Sequence, residues 1–472
     1  MTEIISGQDL INAGFQQGKW FAKAIAAANA ALAQGATTAQ ALEIVRGLQP
    51  PPALLLKEAG ATPLHVNLEV ESPDEADNVA KVLDTMRILL RTPVVREGAV
   101  MPDACPAGSP GTIPVGGVAV SEAIHPGMHS ADICCSMAIS VFPGLAPAAL
   151  LDAVHAVTHF GPGGRVRGSQ LRPDAAVMAD FDANPYLKDL QSAAIEHFAT
   201  QGDGNHFAYV GTLKSSGETA LVTHHGSRSP GARLYTKGMK VAEAFRQHLS
   251  PETLSQNAWI PGDTREGEDY WNALQIIRAW TKANHFRIHD MAAEKLSARV
   301  SDRFWNEHNF VFRRSDGLFY HAKGATPAFT GWADDATGLT LIPLNMAEPI
   351  LIARGKDAAH GLGFSPHGAG RNVSRTQHRK LQTGRLDAEI FAEETKGIDA
   401  RFFSGSIDIS ELPSAYKNAA GMRAQIDRFD LAEIVDEVLP YGCIMAGDWE
   451  ANAPWRRKKQ NSASITPKPG LG

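Results

Sequence analysis

The chain carries 472 residues, 44% hydrophobic and 20% charged, with a formal net charge of −6, the profile of an ordinary globular protein. Four cysteines over this length exclude a disulfide framework, and no run approaches the roughly 18 unbroken apolar residues of a membrane span. The N-terminus lacks a basic segment followed by an apolar core, so the cytoplasm is the expected compartment, with no membrane partner. The negative balance gives no overall attraction to nucleic acid, so any such contact needs positive charge gathered locally.

In chain order, the Ala-rich stretch from Phe21 to Leu32 reads as a helix stopped at Gly35, and a second short helix ends at Pro50-Pro51-Pro52. Ser72-Pro73-Asp74-Glu75 opens the next helix with a hydroxyl cap, Pro in the first turn and acids at the positive end of the dipole; it runs to about Leu90. From Thr112 to Phe142, short β-branched runs (115–120 and 138–141) alternate with Gly and Pro, the pattern of strands joined by tight loops. Asp132 and Cys135 fall in such a loop. Residues 207–213 and 219–223 read as strands whose ends present His206 and His224, and Glu268 to about Arg299 as a long helix. Strand patterns return at 339–342 and 350–353, and a last helix is expected over 431–438.

Helices and strands come in blocks, which argues for an α+β fold. The expected division is a largely helical N-terminal extension over 1–95 packed on the core, one large mixed α/β catalytic domain over 96–450, and a basic, disordered tail over 451–472. Candidate basic patches are Arg165, Arg167 and Arg172; Arg371, Arg375, Arg379 and Lys380; and Arg456, Arg457, Lys458 and Lys459.

The string His367-Gly368-Ala369-Gly370-Arg371 is the most informative stretch. Small residues leave backbone N–H groups uncovered beside an imidazole, and a guanidinium one step beyond can grip a phosphate in two places. It keeps company with Asp132 and Cys135, Gly204-Asn205-His206-Phe207, His224-His225-Gly226-Ser227-Arg228, His308-Asn309 and His321-Ala322-Lys323-Gly324. Thiolate, imidazole and carboxylate together suit Zn, Mn, Fe or Co in a site with open positions.

Taken in this order, from about Met101 to about Gly447, these motifs resemble the RtcB-type RNA ligases, which join an RNA 3′-phosphate or 2′,3′-cyclic phosphate to a 5′-hydroxyl. The resemblance implies a catalytic domain of that type with a metal centre in a central cleft. Two Mn²⁺ ions would be held by Asp132, Cys135, His206, His224 and His308, with Cys135 bridging. His367 would be the histidine guanylylated by GTP, and GMP would pass to the RNA 3′-phosphate before the 5′-hydroxyl attacks. Asn205, Asn309, Asn345, Met346, His367, Gly368, Ala369, Gly370 and Tyr416 would hold the nucleotide, and Arg228, Lys323 and Arg371 would contact phosphate or RNA.

Several positions depart from the family pattern. Cys134 and Ser136 flank the metal-binding cysteine where glycines are usual, and the extra thiol is a potential decoy ligand. Met101-Pro102-Asp103-Ala104-Cys105 ends in Cys where the family has His. Tyr209, Ile350 and Met445 stand where the family places groups that read guanine, while Pro343-Leu344-Asn345-Met346 replaces a Pro-Gly-Ser-Met loop. A pocket without its polar partners loses discrimination, which opens the choice between GTP and another nucleotide. Two other readings compete with ligation: a metal-dependent phosphoesterase that opens cyclic phosphates, needing the metal ligands and not His367, and a paralogue that only binds RNA ends.

Overall fold

Contacts divide the chain between Leu54 and Leu55. The computed structural model describes residues 4–49, 52–71, 73–328 and 331–449, with backbone alone at 74. The Ser72 cap, Pro50-Pro51 and the basic tail with its Arg456–Lys459 patch lie outside the described residues.

The N-terminal unit is built from helices Gly7–Asn12, Phe21–Ala33 and Thr38–Leu48. Ser6 with Asp9, and Thr37 with Gln40, form reciprocal capping boxes that satisfy two otherwise orphaned donors each. Leu10, Phe21, Ala24, Ala28, Ala41 and Val45 bury a small core of their own.

The second unit is an α+β structure around two largely antiparallel sheets. Five strands run in the order Leu64–Val66, Val95–Cys105, Val115–Ser121, Phe319–Lys323, Asn309–Arg313. The larger sheet runs Leu339–Ile342, Ile350–Gly355, Ala432–Met445, Phe207–Leu213, Thr219–His225, Ser136–Phe142, Asp302–Glu307, with Asp399–Phe402 parallel to the long strand. Strand Leu64–Val66 pairs with Val95–Cys105, and helix Pro73–Leu89 packs Val82, Met86 and Leu89 into the same core. The expected boundary at 95 therefore does not coincide with the break in contacts, which lies some forty residues earlier.

The helix Arg265–Leu296 is the longest element, and its face bearing Tyr270, Leu274, Ile277 and Trp280 is buried in the main core. One sequence expectation fails outright: residues 431–438 are not helical but begin the fourteen-residue strand Ala432–Met445. Ile434, Val435, Val438 and Leu439 sit at spacings that suit a helix or a strand. Ladder partners decide the matter, with Ile350–Gly355 on one side and Phe207–Leu213 on the other. The terminal helix lies earlier, at Ala419–Arg428.

Candidate active site

Sheet order explains how ligands scattered over 177 residues of sequence meet. In the larger sheet, strands Phe207–Leu213, Thr219–His225, Ser136–Phe142 and Asp302–Glu307 are neighbours and antiparallel. His206 precedes the first, His224 lies at the end of the second, Cys135 precedes the third and His308 follows the fourth. Alternating direction places all four at one edge. His308 is also the single residue between Asp302–Glu307 and Asn309–Arg313, and so joins the two sheets.

Cys135 Sγ lies 3.2 Å from His224 Nε2 and 3.6 Å from His206 Nε2, and His224 Nε2 lies 3.2 Å from His308 Nε2. Asp132 Oδ2 is 3.2 Å from His206 Nε2. These atoms form two ligand groups, Cys135–His224–His308 and Asp132–Cys135–His206, each within 4.8 Å and sharing the thiol. His224 Nδ1–H donates to the Asn205 carbonyl at 3.0 Å, so its Nε2 offers a lone pair to the cluster. Soft and hard donors converging at this spacing fit a divalent cation.

Burial sets the resting electrostatics. It pushes His224 down to about 3 and His308 well below the usual imidazole range. It also drives the Cys135 thiol well up, which a coordinated cation would reverse. Burial is the largest single influence on Asp132 and opposes its ionisation, but His206, Cys135 and His224 together outweigh it and hold the carboxyl at about 2. Gly226 makes room for that carboxylate: a Cβ there would stand 1.9 Å from Asp132 Oδ1.

Cys134 is not in either ligand group. Its thiol is buried in the main core, its N–H donates to the Asn309 carbonyl at 2.7 Å, and its φ of 56° is the left-handed conformation that favours glycine. Ser136 fits by donating to the Cys134 and His225 carbonyls.

His367 directly follows the short strand Phe364–Pro366. Its Nδ1 is 2.5 Å from Asp103 Oδ2, which also accepts the His367 backbone N–H at 3.1 Å. Asp103 is fully buried. A buried carboxylate that holds Nδ1–H leaves the Nε2 lone pair free to act as a base, a ligand or a nucleophile. Gly370 completes the turn at φ +71°, where a Cβ would lie 2.1 Å from the Asp103 carbonyl. The His367 ring sits 4.8 Å from the His308 ring, which brings the imidazole against the ligand cluster.

Behind His367 opens a cleft. Of the expected nucleotide residues, Asn205, Asn345, Met346, Gly368, Ala369, Gly370 and Tyr416 line it along with His367. Asn309 does not: its Oδ1 accepts from Gly324 N–H, so it braces the loop after Lys323. The three expected cations differ. Arg228 donates to the Thr200 hydroxyl and the Gly161 carbonyl, with no carboxylate partner among the described residues, and burial lowers its pKa. Lys323 meets the Ile113 carbonyl at 3.3 Å, and burial lowers its pKa as well. Arg371 lines the cleft, but its guanidinium is spent on the Ser410 carbonyl and Glu411.

Asp103, Glu411 and Lys417 were not picked out by sequence. Asp103 lies inside the Met101–Cys105 string, but no local pattern marks a partner 264 residues further on. Glu411 is buried and collects Arg371, Arg375 and Tyr416. Lys417 is buried against Glu75 at 2.5 Å, its ammonium donates to the Pro102 carbonyl at 2.9 Å, and its backbone N–H donates to Gly370. It therefore fixes both the segment bearing Asp103 and the turn bearing His367.

An acid–thiol–imidazole cluster facing an oriented imidazole is an arrangement suited to metal-assisted group transfer. The sequence profile described as tRNA-splicing ligase RtcB matches residues 166–446, more than half of the chain, and the chain belongs to that family. It is 25% identical over 299 residues to the tRNA-splicing ligase RtcB of Aeropyrum pernix, covering 55% of this chain and 62% of that protein. To the tRNA-splicing ligase RtcB of Methanocaldococcus jannaschii it is 24% identical over 308 residues, covering 57% and 31%. Against the RNA-splicing ligase RtcB of Escherichia coli K12 the match is 25% over 407 residues, 79% and 95%. The chain thus spans less than two thirds of the two archaeal relatives. No helix among the described residues is long and apolar enough to cross a membrane.

Proposed function

We propose that the protein is an RNA ligase that joins 3′-phosphate or 2′,3′-cyclic phosphate ends to 5′-hydroxyl ends through a nucleotidylated His367. The observation that carries this reading is the Asp103–His367 pair standing against the ligand cluster. Asp132, Cys135, His206, His224 and His308 would hold two ions, Mn²⁺ by the family pattern, which when bound neutralise charge on phosphate oxygens.

His367 Nε2 attacks the α-phosphorus of a nucleoside triphosphate, GTP being the family's donor. A P–N bond forms, the bond to the β-phosphate breaks, and pyrophosphate leaves. Asp103 stabilises the imidazolium-like charge that builds on the ring. A 2′,3′-cyclic phosphate is first opened by water to a 3′-phosphate. An oxygen of the RNA 3′-phosphate then attacks the phosphorus held on His367: a P–O bond forms, the P–N bond breaks and the imidazole is freed. Attack by the 5′-hydroxyl oxygen forms the phosphodiester, expels the nucleoside monophosphate and releases a proton. Arg228 and Lys323, which form no ion pair with a carboxylate among the described residues (Asp203 and Asp132 act on Arg228 only from further off), are assigned to phosphate. Arg371 is assigned to holding the His367 turn through Glu411. The expected compartment remains the cytoplasm and the expected substrate RNA.

The test uses Mn²⁺-loaded protein with α-labelled GTP and an RNA pair bearing a cyclic phosphate and a 5′-hydroxyl. Wild type should take covalent label and seal the RNA, and His367→Ala should do neither. Opening of the cyclic phosphate with no label and no sealing would favour the phosphoesterase; intact RNA and no label would favour the binding-only reading.

A further inference from the structure

The cleft behind His367 has two unlike sides. Towards the ligand cluster it is polar, with Asn205 next to His206. Its inner wall is formed by Phe207, Tyr209, Met346, Ile350, Cys443 and Met445, and the last five are buried members of one hydrophobic cluster. Tyr209, the one hydroxyl on that wall, is 1% exposed and lies 3.1 Å from both the Glu348 and the Val438 carbonyls, so its proton is committed inward.

Polar groups elsewhere in the lining are also engaged with the protein. Glu411 accepts from Arg371 at 2.6 Å, from Arg375 at 2.7 Å and from the Tyr416 hydroxyl at 2.5 Å. Asn345 accepts the Ala347 N–H at 2.9 Å, and it also borders the outer groove, which puts it at the mouth. A carboxamide offers both a donor and an acceptor, so Asn205 and Asn345 serve adenine and guanine alike.

Base choice follows from what this wall lacks. Guanine carries N1–H and N2–H₂ donors on its pairing edge and demands an acceptor for them; a buried donor left unpaired is penalised in full. Adenine has one amino donor there and a smaller debt to water. Flat apolar and sulfur-bearing surfaces favour a purine ring of either kind through stacking and S–aromatic contact.

We propose that this cleft has no guanine preference and takes ATP as a nucleotide donor on a par with GTP or ahead of it. The proposal rests on the reading of the same site as a nucleotide pocket. Tyr209, Ile350 and Met445 are the residues that set the selectivity, by withholding an acceptor.

The experiment compares α-labelled ATP and GTP at equal, sub-saturating concentration on Mn²⁺-loaded wild type, alongside calorimetric titration with the α,β-methylene analogue of each. ATP label matching or exceeding GTP label supports the proposal. A GTP preference overturns it and leaves the ligase reading standing; one base-edge hydrogen bond would show as about tenfold. If neither nucleotide labels the protein but both analogues bind with similar Kd, base indifference stands and histidine nucleotidylation fails. If neither analogue binds, the proposal falls. Met445→Glu supplies an acceptor for N1–H and N2–H₂ and is expected to shift the ratio towards GTP by about tenfold. An unchanged ratio in a variant that melts normally would count against Met445 as a selectivity residue, and a variant that does not fold leaves the wild-type arms to decide.

Discussion

The ligand edge and the inner wall of the cleft are built on the same sheet yet obey different constraints. At the edge, His206, His224, Cys135 and His308 each sit at the terminus of a neighbouring strand, and one wrong donor empties a coordination position. On the wall, Tyr209 lies three residues beyond His206, and Cys443 opposite it and Met445 come from the adjacent strand Ala432–Met445, where any side chain that fills the space keeps the sheet intact. Coordination is all-or-nothing, whereas a binding wall changes by degrees. That contrast would account for a chain whose candidate metal ligands keep the residue types the resemblance implies while its cleft-wall positions depart from them.

Separating the two regions gives the largest effect. Asp132→Ala should lose bound metal by elemental analysis and take no covalent label, while still binding a nucleotide analogue at the wall. His367→Ala should keep the metal and lose only the label. Loss of nucleotide binding in Asp132→Ala would show that edge and wall are not independent.

Asp103→Asn sharpens the comparison on the nucleophile. The amide cannot fix Nδ1–H in the same way, so the labelling rate should fall by roughly 10²–10⁴-fold with little change in nucleotide Kd. Equal losses in rate and binding would assign Asp103 to structure alone.

A smaller change is expected from Gly226→Ala, whose methyl would collide with Asp132. Metal affinity should drop by about 10–100-fold, read by competition with a chromophoric chelator. An unaltered affinity would mean that the 130–135 loop yields freely.

The mildest effect lies beneath the edge. His289 is buried against Ser140, Thr223 and the Phe286 ring, with Arg303 near, and burial holds its pKa at about 3. His125, buried among Ser121, Asn257, Trp259 and His321 with His129 near, is held at about 4. In the unfolded chain both titrate near 6.5. Below that pH the unfolded state binds protons that the folded state refuses, so stability is full above 6.5 and falls as the pH drops towards 4. Each imidazole steepens the fall by up to about 1.4 kcal/mol per pH unit. Urea midpoints from pH 7 to pH 5 measure it, and His125→Asn should flatten the slope.

Much of this architecture was legible beforehand, for identifiable reasons. Strands with β-branched runs between Gly and Pro, such as Val115–Ser121 and Ser136–Phe142, announced themselves, and so did the long helix. Ala432–Met445 did not, because only its partners distinguish it from a helix. The ligand types were readable because such residues form motifs; their shared edge depends on strand order, which no local pattern encodes. Asn309 and Arg371 were read as ligand contacts since both adjoin a motif, yet the fold uses them to brace loops. Cys134 shows the reverse: an apparent second thiol ligand is turned into the core by a left-handed backbone.

The Glu75–Lys417 pair decides where this chain tolerates being cut. Deleting residues 1–95 would remove Glu75 and strand Leu64–Val66, leaving the Lys417 ammonium buried with only the Pro102 carbonyl for company. An uncompensated charge of that kind is worth about 3–5 kcal/mol, and it would sit one hydrogen bond from the segment that orients His367. A cut after Leu54 spares both residues. Someone designing a minimal catalytic fragment would do well to keep the helix Pro73–Leu89, although the sequence places it in the N-terminal extension.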